Sequence, residues 1–257
     1  MILDKLVEAT RIRVEKEKEE KPLEEVKKQA LSMEKGDFSF DRAIAKDGIS
    51  FICEVKKASP SKGIIAEDFP YVDIAKDYEN AGASCISVLT EPDYFKGDKK
   101  YLKEISENVN IPLIRKDFVI DEYMIYDGKI HGASCVLLIC SILDDDTLKK
   151  YISICDELGL SALVEAHDEE EIKRAVSAGA RMIGVNNRDL KTFVVDIGNS
   201  ERLRRLVPEN ILFVAESGIK TNEDIRRLRA AGVDGVLIGE TFMKADNKKG
   251  MLEELAK

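Results

Sequence analysis

From residue 48 onward the chain alternates between short apolar runs and longer amphipathic stretches. The apolar runs are Ile49–Val55, Cys85–Leu89, Ile111–Ile114, Cys135–Ile139, Ala162–Val164, Met182–Val185, Ile211–Ala215 and Val236–Ile238, eight in all. Each is short, bounded by polar residues or glycine, and mostly rich in Val, Ile and Leu, as strands buried on both faces of a parallel sheet are. Helical periodicity fills the gaps, over Val72–Asn80, Tyr101–Val109, Asp121–Lys129, Asp144–Leu158, Asp168–Ala178, Ser200–Val207, Thr221–Ala231 and Lys249–Ala256. Thr221-Asn222-Glu223-Asp224 has the form of a helix-start box. A glycine echo runs through the pattern. Ala81-Gly82-Ala83, Gly132-Ala133, Ala178-Gly179-Ala180 and Ala230-Ala231-Gly232-Val233 precede the second, fourth, sixth and eighth strands, where glycine ends a helix and lets the chain turn in. The echo recurs about every 50 residues, once per two βα units. Eight strict βα alternations predict a closed (β/α)8 barrel, the TIM-barrel form of the α/β class. The rival, an open doubly wound sheet, would carry G-x-G-x-x-G after its first strand, and this chain does not.

Residues 1–47 read differently. They are dense in Lys and Glu, with apolar positions at Leu3, Leu6 and Val7, then Leu23, Val26 and Ala30. Pro22 before Leu23-Glu24-Glu25 suits a helix start, and Glu15 to Lys21 reads as a solvated helix face. The expected organisation is one TIM-barrel domain over 1–257, with 1–47 as an N-terminal helical extension and 48–257 as the barrel.

In such a barrel the chemistry sits where strands end and βα loops begin. The strand ends supply Glu54 and Lys56, Thr90, Lys116, Glu165, Asn186 and Arg188, then Glu216-Ser217-Gly218, and Gly239-Glu240, while the fourth ends apolar at Leu138-Ile139. Glu54 and Lys56 are two apart and so share a face. If that face is the interior, Lys56, Lys116, Glu54, Glu165 and Glu216 converge on one small volume, a source of tuned acids and bases. Singly, each is an ordinary polar strand edge. Convergence from separate strands is what argues for a site. A lysine donor in such a pocket is expected to have its pKa lowered.

A second group suits phosphate. Ser217-Gly218 and Gly239 follow the seventh and eighth strands, where barrels bind phosphate through backbone N–H groups and a short helix N-terminus. Ser59-Pro60-Ser61-Lys62-Gly63 adds hydroxyls and a cation after the first strand. Ser, Pro and Gly are also ordinary turn residues, so the signal lies in the three segments together. His167-Asp168 reads as a helix start, His131 as lying on the face away from the site, and Tyr94-Phe95 as pocket lining or loop packing.

Composition narrows the function. A net charge of −9 excludes a general nucleic-acid or membrane surface. No apolar run approaches the ~20 residues that span a bilayer, and the N-terminal order is not that of a signal peptide. Cys53, Cys85, Cys135, Cys140 and Cys155 form no C-x-x-C pair and mostly sit in apolar runs, which fits core packing in a reducing compartment. With two distant histidines, no metal site is expected. The expected location is the cytoplasm.

Several segments resemble the indole-3-glycerol-phosphate synthase family. They are Glu54-Val55-Lys56-Lys57-Ala58-Ser59-Pro60-Ser61-Lys62-Gly63, Leu89-Thr90-Glu91 with Tyr94-Phe95-Lys96-Gly97, and Arg115-Lys116-Asp117-Phe118. Leu163-Val164-Glu165, Gly184-Val185-Asn186-Asn187-Arg188-Asp189-Leu190, Ala215-Glu216-Ser217-Gly218-Ile219 and Leu237-Ile238-Gly239-Glu240 complete the set. The resemblance covers essentially the whole chain in order. The serine-proline and Asn-Asn-Arg-Asp-Leu segments are specific; the Glu-Ser-Gly and Gly-Glu turns recur in other phosphate-binding barrels.

The resemblance implies a carboxy-lyase of tryptophan biosynthesis acting on 1-(2-carboxyphenylamino)-1-deoxyribulose 5-phosphate. It implies Lys116 as general acid toward the ketone oxygen, Glu165 as partner acid/base, and Lys56 as the carboxylate ligand and second proton donor. Glu54, Asn186 and Glu216 would place and polarise groups. Arg188 would hold the substrate carboxylate, and Ser59, Ser217, Gly218, Gly239 and Glu240 would surround the phosphate. Phe95, Phe118 and Leu137 would line the ring pocket. No cofactor is implied, and the partner is a small phosphorylated molecule; non-covalent contact with other enzymes of that pathway stays open. The chain departs from some members at Ala58, where a basic residue stands, and at Glu240, where a serine stands, so Glu240 is assigned backbone contact alone. A phosphoribosylanthranilate isomerase on the same fold would use a Cys and Asp pair at strand ends, which Glu54 and Lys56 displace. A non-catalytic phosphosugar-binding barrel would lose Lys116 or Glu165, and both are present.

Overall fold

A computed structural model describes residues 2–189 and 194–257. Eight parallel strands close into a barrel in sequence order. They are β1 (Ser50–Val55), β2 (Cys85–Leu89), β3 (Leu113–Lys116), β4 (Cys135–Ile139), β5 (Ser161–Ala166), β6 (Met182–Asn186), β7 (Leu212–Glu216) and β8 (Gly235–Ile238). Closure is made by β8 against β1, with Ser50 opposite Gly235 and Cys53 opposite Ile238. Three helices precede the barrel, α1 (Ile2–Glu20), α2 (Leu23–Ser32) and α3 (Ser39–Ile44). Outside it run α4 (Tyr71–Ala81), α5 (Lys99–Ser106), α6 (Glu122–Ile130), α7 (Asp145–Leu158), α8 (Glu169–Ser177), α9 (Gly198–Arg204) and α10 (Asn222–Ala230), and after β8 come α11 (Glu240–Lys244) and α12 (Lys248–Ala256). None of the described helices is long and apolar enough to cross a membrane.

The helix boundaries follow local chemistry. Thr221 and Asp224 form the reciprocal capping box at the start of α10. The four echo glycines, Gly82, Gly132, Gly179 and Gly232, all have positive φ, between 81° and 98°. Each ends an even-numbered helix and turns the chain into the next strand, as its position predicts. Pro22 sits one place earlier than a first-turn residue, as the N-cap of α2.

Alternation along each strand sorts side chains into two apolar layers. Ile52, Cys85, Ile114, Cys135, Leu137, Ile139, Leu163, Met182, Val214 and Leu237 fill the barrel lumen. Their neighbours Cys53, Val55, Ile86, Val88, Val136, Leu138, Val164, Ile183, Val185, Ala215 and Val236 face the outer helices. This period of two decides where every polar strand residue points. Phe40, Ala43 and Ile44 of α3 join the lumen layer at the end where the strands begin. There the Ser50 hydroxyl donates to Ala43 O at 3.0 Å, and Asp41 N donates to Ser161 Oγ at 3.1 Å. The N-terminal segment therefore seals the barrel floor.

β3 runs to Lys116, beyond the apolar run that announced it at Ile111–Ile114. Pro112 has no N–H to give the ladder, and two cations extend the far end. Arg115 faces outward yet is only 2 % exposed. It donates to Asp127 Oδ2 at 2.8 Å and Met124 O at 2.9 Å, and lies 3.4 Å from Asp117 Oδ2. Arg13 of α1 reaches Asp117 Oδ1 at 2.8 Å. Burial opposes charge on both aspartates, but the facing cations hold Asp117 and Asp127 below the ordinary carboxylate range.

Removing Arg115 breaks its buried pairs with Asp127 and Asp117 while Arg13 stays on Asp117 and Lys99 and His131 stay beside Asp127, and breaking a buried pair costs about 3–5 kcal/mol. Arg115→Ala is expected to lose that much in equilibrium urea unfolding at neutral pH. Depressed carboxylates contribute stability above their unfolded values of about 4, and that contribution vanishes as pH falls through the folded values. The gap between variant and wild type should therefore narrow on acidification. A deficit under about 1 kcal/mol at pH 7 would contradict this role for Arg115.

Candidate active site

The carboxyl ends of the strands surround a cavity of about 650 Å³. Every residue assigned to the site from sequence lines it: Glu54, Lys56, Ser59, Phe95, Lys116, Phe118, Leu137, Glu165, Asn186, Arg188, Glu216, Ser217, Gly218, Gly239 and Glu240. The period of two places them, since Glu54, Lys116, Glu165, Asn186 and Glu216 all continue lumen-facing rows. Leu190, the last residue of the Asn-Asn-Arg-Asp-Leu segment, lies outside the described residues.

Lys116 stands at the centre. Its ammonium donates to Glu216 Oε2 at 2.8 Å and Glu165 Oε2 at 3.1 Å. Lys56 pairs with Glu54 beside it. Lys116 departs from the sequence expectation of a lowered pKa. Burial does act to lower it, but Glu216, Glu165 and Glu54 outweigh burial and raise the lysine above its ordinary value. The ammonium is thus its form throughout the neutral range. The two glutamates separate. Burial would raise Glu165, but Lys116 and His167 hold it well below the usual carboxylate range. Burial pushes Glu216 up to about 7, with Glu165 and Glu54 adding to the push and Lys116 opposing it. Glu216 Oε1 is buried without a protein partner among the described residues. It lies where a Cβ on Gly184 would clash with it, so the glycine makes room for it.

Gly239 makes room for a charged pair. A Cβ there would lie 2.7 Å from Lys56 Nζ and closer still to Glu54 Oε2. The absence of a side chain in β8–α11 is what allows the Glu54–Lys56 pair its position. Across the cavity, Ser217 holds a left-handed φ of 67° and Gly218 one of 84°. Ser217 is fixed there by Asn187, whose amide donates to Ser217 O at 3.2 Å while its carbonyl accepts from Ser200. The serine-proline segment forms a short hairpin, Ala58–Ser59 against Gly63–Ile64, with Lys62 at its tip. Glu240, first residue of α11, turns its carboxylate to Lys244 at 2.7 Å and Lys62 at 3.9 Å.

The opposite wall is apolar. Phe95 and Phe118 meet at 6.2 Å between ring centroids, beside Leu89 and Leu137. The Glu91 carboxylate holds the Phe95 loop by accepting from the N–H groups of Asp93, Tyr94 and Phe95. Ile2 and Leu6 of α1 also line the cavity, so the extension joins the site rather than standing apart.

Sequence reasoning missed one group beside Glu165. Asp168 does cap α8, as read, by accepting from Glu171 N. His167, two residues past Glu165, continues the same face, and its Nε2 lies 3.2 Å from Glu165 Oε1. The parity that paired Glu54 with Lys56 would have found it. His131 ends α6 on Asp127 O, away from the cavity. Cys53 faces the helices, and burial pushes its thiol up, so it supplies no reactive thiol to the lumen.

A model of the indole-3-glycerol phosphate synthase family matches residues 3–255. A protein of that name from Ruminiclostridium cellulolyticum is 57% identical over 256 residues, covering 99% of this chain and 98% of its own. One from Endomicrobium trichonymphae is 56% identical, covering 99% of each. Among solved structures, KGPDC from Streptococcus mutans superposes with a TM-score of 0.63 over 81% of this chain and 96% of its own, at 11% identity, which speaks to the fold alone. With the match running almost from end to end, this chain belongs to the indole-3-glycerol phosphate synthase family.

Proposed function

We propose that the chain converts 1-(2-carboxyphenylamino)-1-deoxyribulose 5-phosphate into indole-3-glycerol phosphate, releasing carbon dioxide and water. The observation that carries this reading is the position of the Lys116 ammonium. It lies between Glu165 and Glu216 in a cavity that is apolar on one side and rich in turn N–H groups and cations on the other. A substrate with an aromatic ring at one end and a phosphate at the other fits that polarity.

In this reading Phe95, Phe118 and Leu137 hold the anthranilate ring. The backbone of Ser217, Gly218, Gly239 and Glu240, with Ser59, takes the phosphate. Remote phosphate binding then positions the reacting carbons. Lys56 and Arg188 hold the carboxylate that leaves as carbon dioxide. Lys116 gives a proton to the ketone oxygen as the ring closes. Glu216, with a proton affinity near neutrality and 2.8 Å from Lys116, is placed to return one to the lysine. Lys56 then gives a proton to the hydroxyl so formed, which leaves as water, and Glu165 accepts the proton lost from the neighbouring carbon as the ring becomes aromatic. Glu54 and Asn186 orient Lys56 and the substrate hydroxyls.

Steady-state turnover of that compound by the purified protein, followed by indoleglycerol phosphate fluorescence, tests the assignment. Absence of turnover by folded protein that still binds the compound would overturn it. Gly239→Ala gives a narrower check. Overpacking costs about 1–3 kcal/mol, so displacement of the Glu54–Lys56 pair should lower kcat/KM by about tenfold or more. An unchanged kcat/KM would show that the pair tolerates displacement.

A further inference from the structure

We infer that His167 is a positioning residue, the middle of a Glu165–His167–Glu171 chain that holds the catalytic carboxylate from the side opposite Lys116. This rests on Glu165 being the base. Glu165 faces a nitrogen at each oxygen: Oε2 accepts from Lys116 Nζ at 3.1 Å, and Oε1 lies at ion-pair distance, 3.2 Å, from His167 Nε2, a buried nitrogen with no hydrogen-bond partner among the described residues. The other imidazole nitrogen, Nδ1, lies 3.1 Å from Glu171 Oε2, and the same oxygen accepts from His167 N at 2.8 Å. Glu171 is itself set by α8, since its N–H is held by the Asp168 cap at 2.9 Å. Asn199 of α9 donates to His167 O at 3.4 Å. The imidazole is therefore fixed through the backbone on both sides and through Glu171 at the ring.

The charged groups facing the imidazole are Glu165 from its own strand and Glu171 from α8, with Lys116 of β3 beyond Glu165. The two carboxylates favour the imidazolium. Burial acts against it, but the facing carboxylates of Glu165 and Glu171 prevail and bring His167 up to about 10. A fixed cation on Oε1 keeps Glu165 ionised and leaves Oε2 to Lys116 and the substrate. A carboxylate pinned at one oxygen can rotate little, and loss of such placement costs on the order of a hundredfold in rate.

His167→Leu removes both donor and charge, and His167→Gln keeps a donor at the Nε2 position without charge. The expected result is a kcat lowered by about 10- to 100-fold in His167→Leu with KM within about twofold, and partial recovery in His167→Gln. In both, the acidic limb of the kcat profile moves to higher pH, because Glu165 has lost a cation. A kcat and acidic limb unchanged in His167→Leu would overturn the inference. Titration of the wild-type protein labelled with 15N-histidine, without substrate, reads the chain independently of turnover and of whether the variants fold. The spectrum holds only His131 and His167, and His131→Asn assigns them. His167 should remain an imidazolium through pH 8. Titration near the ordinary value of about 6.5 would refute the chain even if the assigned activity were found.

Discussion

Lys116→Met is expected to reduce turnover by at least about 10²- to 10⁴-fold, the range lost with a positioned general acid. Methionine matches the length of the lysine stem, so the lumen stays filled. What disappears is the cation between Glu165 and Glu216, with Glu54 close by. Like charges cannot all persist in that volume, and the carboxylates would take up protons. Their folded values would then lie above the unfolded value of about 4.3. Raised carboxylates contribute stability that is complete below the unfolded value and is lost as pH rises through the folded value. Unfolding at pH 5 and pH 8 should accordingly show a deficit that is larger at pH 8. Binding of a phosphate-bearing product should persist, because Ser217, Gly218 and Gly239 are untouched. Near-normal turnover would remove Lys116 from the acid role.

Glu165→Gln should fall as far in kcat for a different reason. The amide oxygen can still accept from Lys116, and the volume is unchanged. The base is gone, and an amide takes no proton in the neutral range. Its loss costs about 10²–10⁴ in rate. One like charge fewer also lets Glu216 drop from about 7 toward the ordinary carboxylate range. The two substitutions therefore separate in their pH behaviour. Lys116→Met raises carboxylate proton affinity, whereas Glu165→Gln lowers that of Glu216. A Glu165→Gln protein with kcat within about tenfold of wild type would move the base elsewhere, with Glu216 the next group in line.

The barrel and its site were legible because both rest on period two and on strand order. Glu54 with Lys56, and Glu165, Asn186 and Glu216 at strand ends, point inward for the same reason that Ile52, Leu163 and Val214 do. The failures have equally definite causes. The lysine donor was expected to titrate low because burial was weighed alone, although the convergence of Lys116 with Glu54, Glu165 and Glu216 was readable from the same strand ends. His167 was read through its neighbour Asp168, a true helix cap, although its parity with Glu165 was available. The Ala58–Ser59 hairpin and α11 are too short for any periodicity to announce. Gly239 looked like an anion-binding turn, and only coordinates show that it also vacates space for the Glu54–Lys56 pair. The extension reads differently from the barrel because its surface is charged. Its buried side chains tie it to the barrel at several levels, Leu6 at the mouth, Val14, Val26 and Ala30 in the outer core, and Phe40 and Ile44 at the floor.

That floor bears on how the chain folds. Ile44 rests against Gly235, and Ser50 pairs with Gly235 across the closing seam between β1 and β8. These partners lie at nearly opposite ends of the sequence. During synthesis α3 and β1 leave the ribosome long before the strand that completes them. Until β8 arrives, β1 keeps an open edge and Phe40 and Ile44 lack part of their lid. Loop-closure entropy must be met before these contacts form, which places barrel closure late and makes it slow. The partly built barrel, with a row of unpaired N–H and C=O groups along β1, is the species most exposed to aggregation.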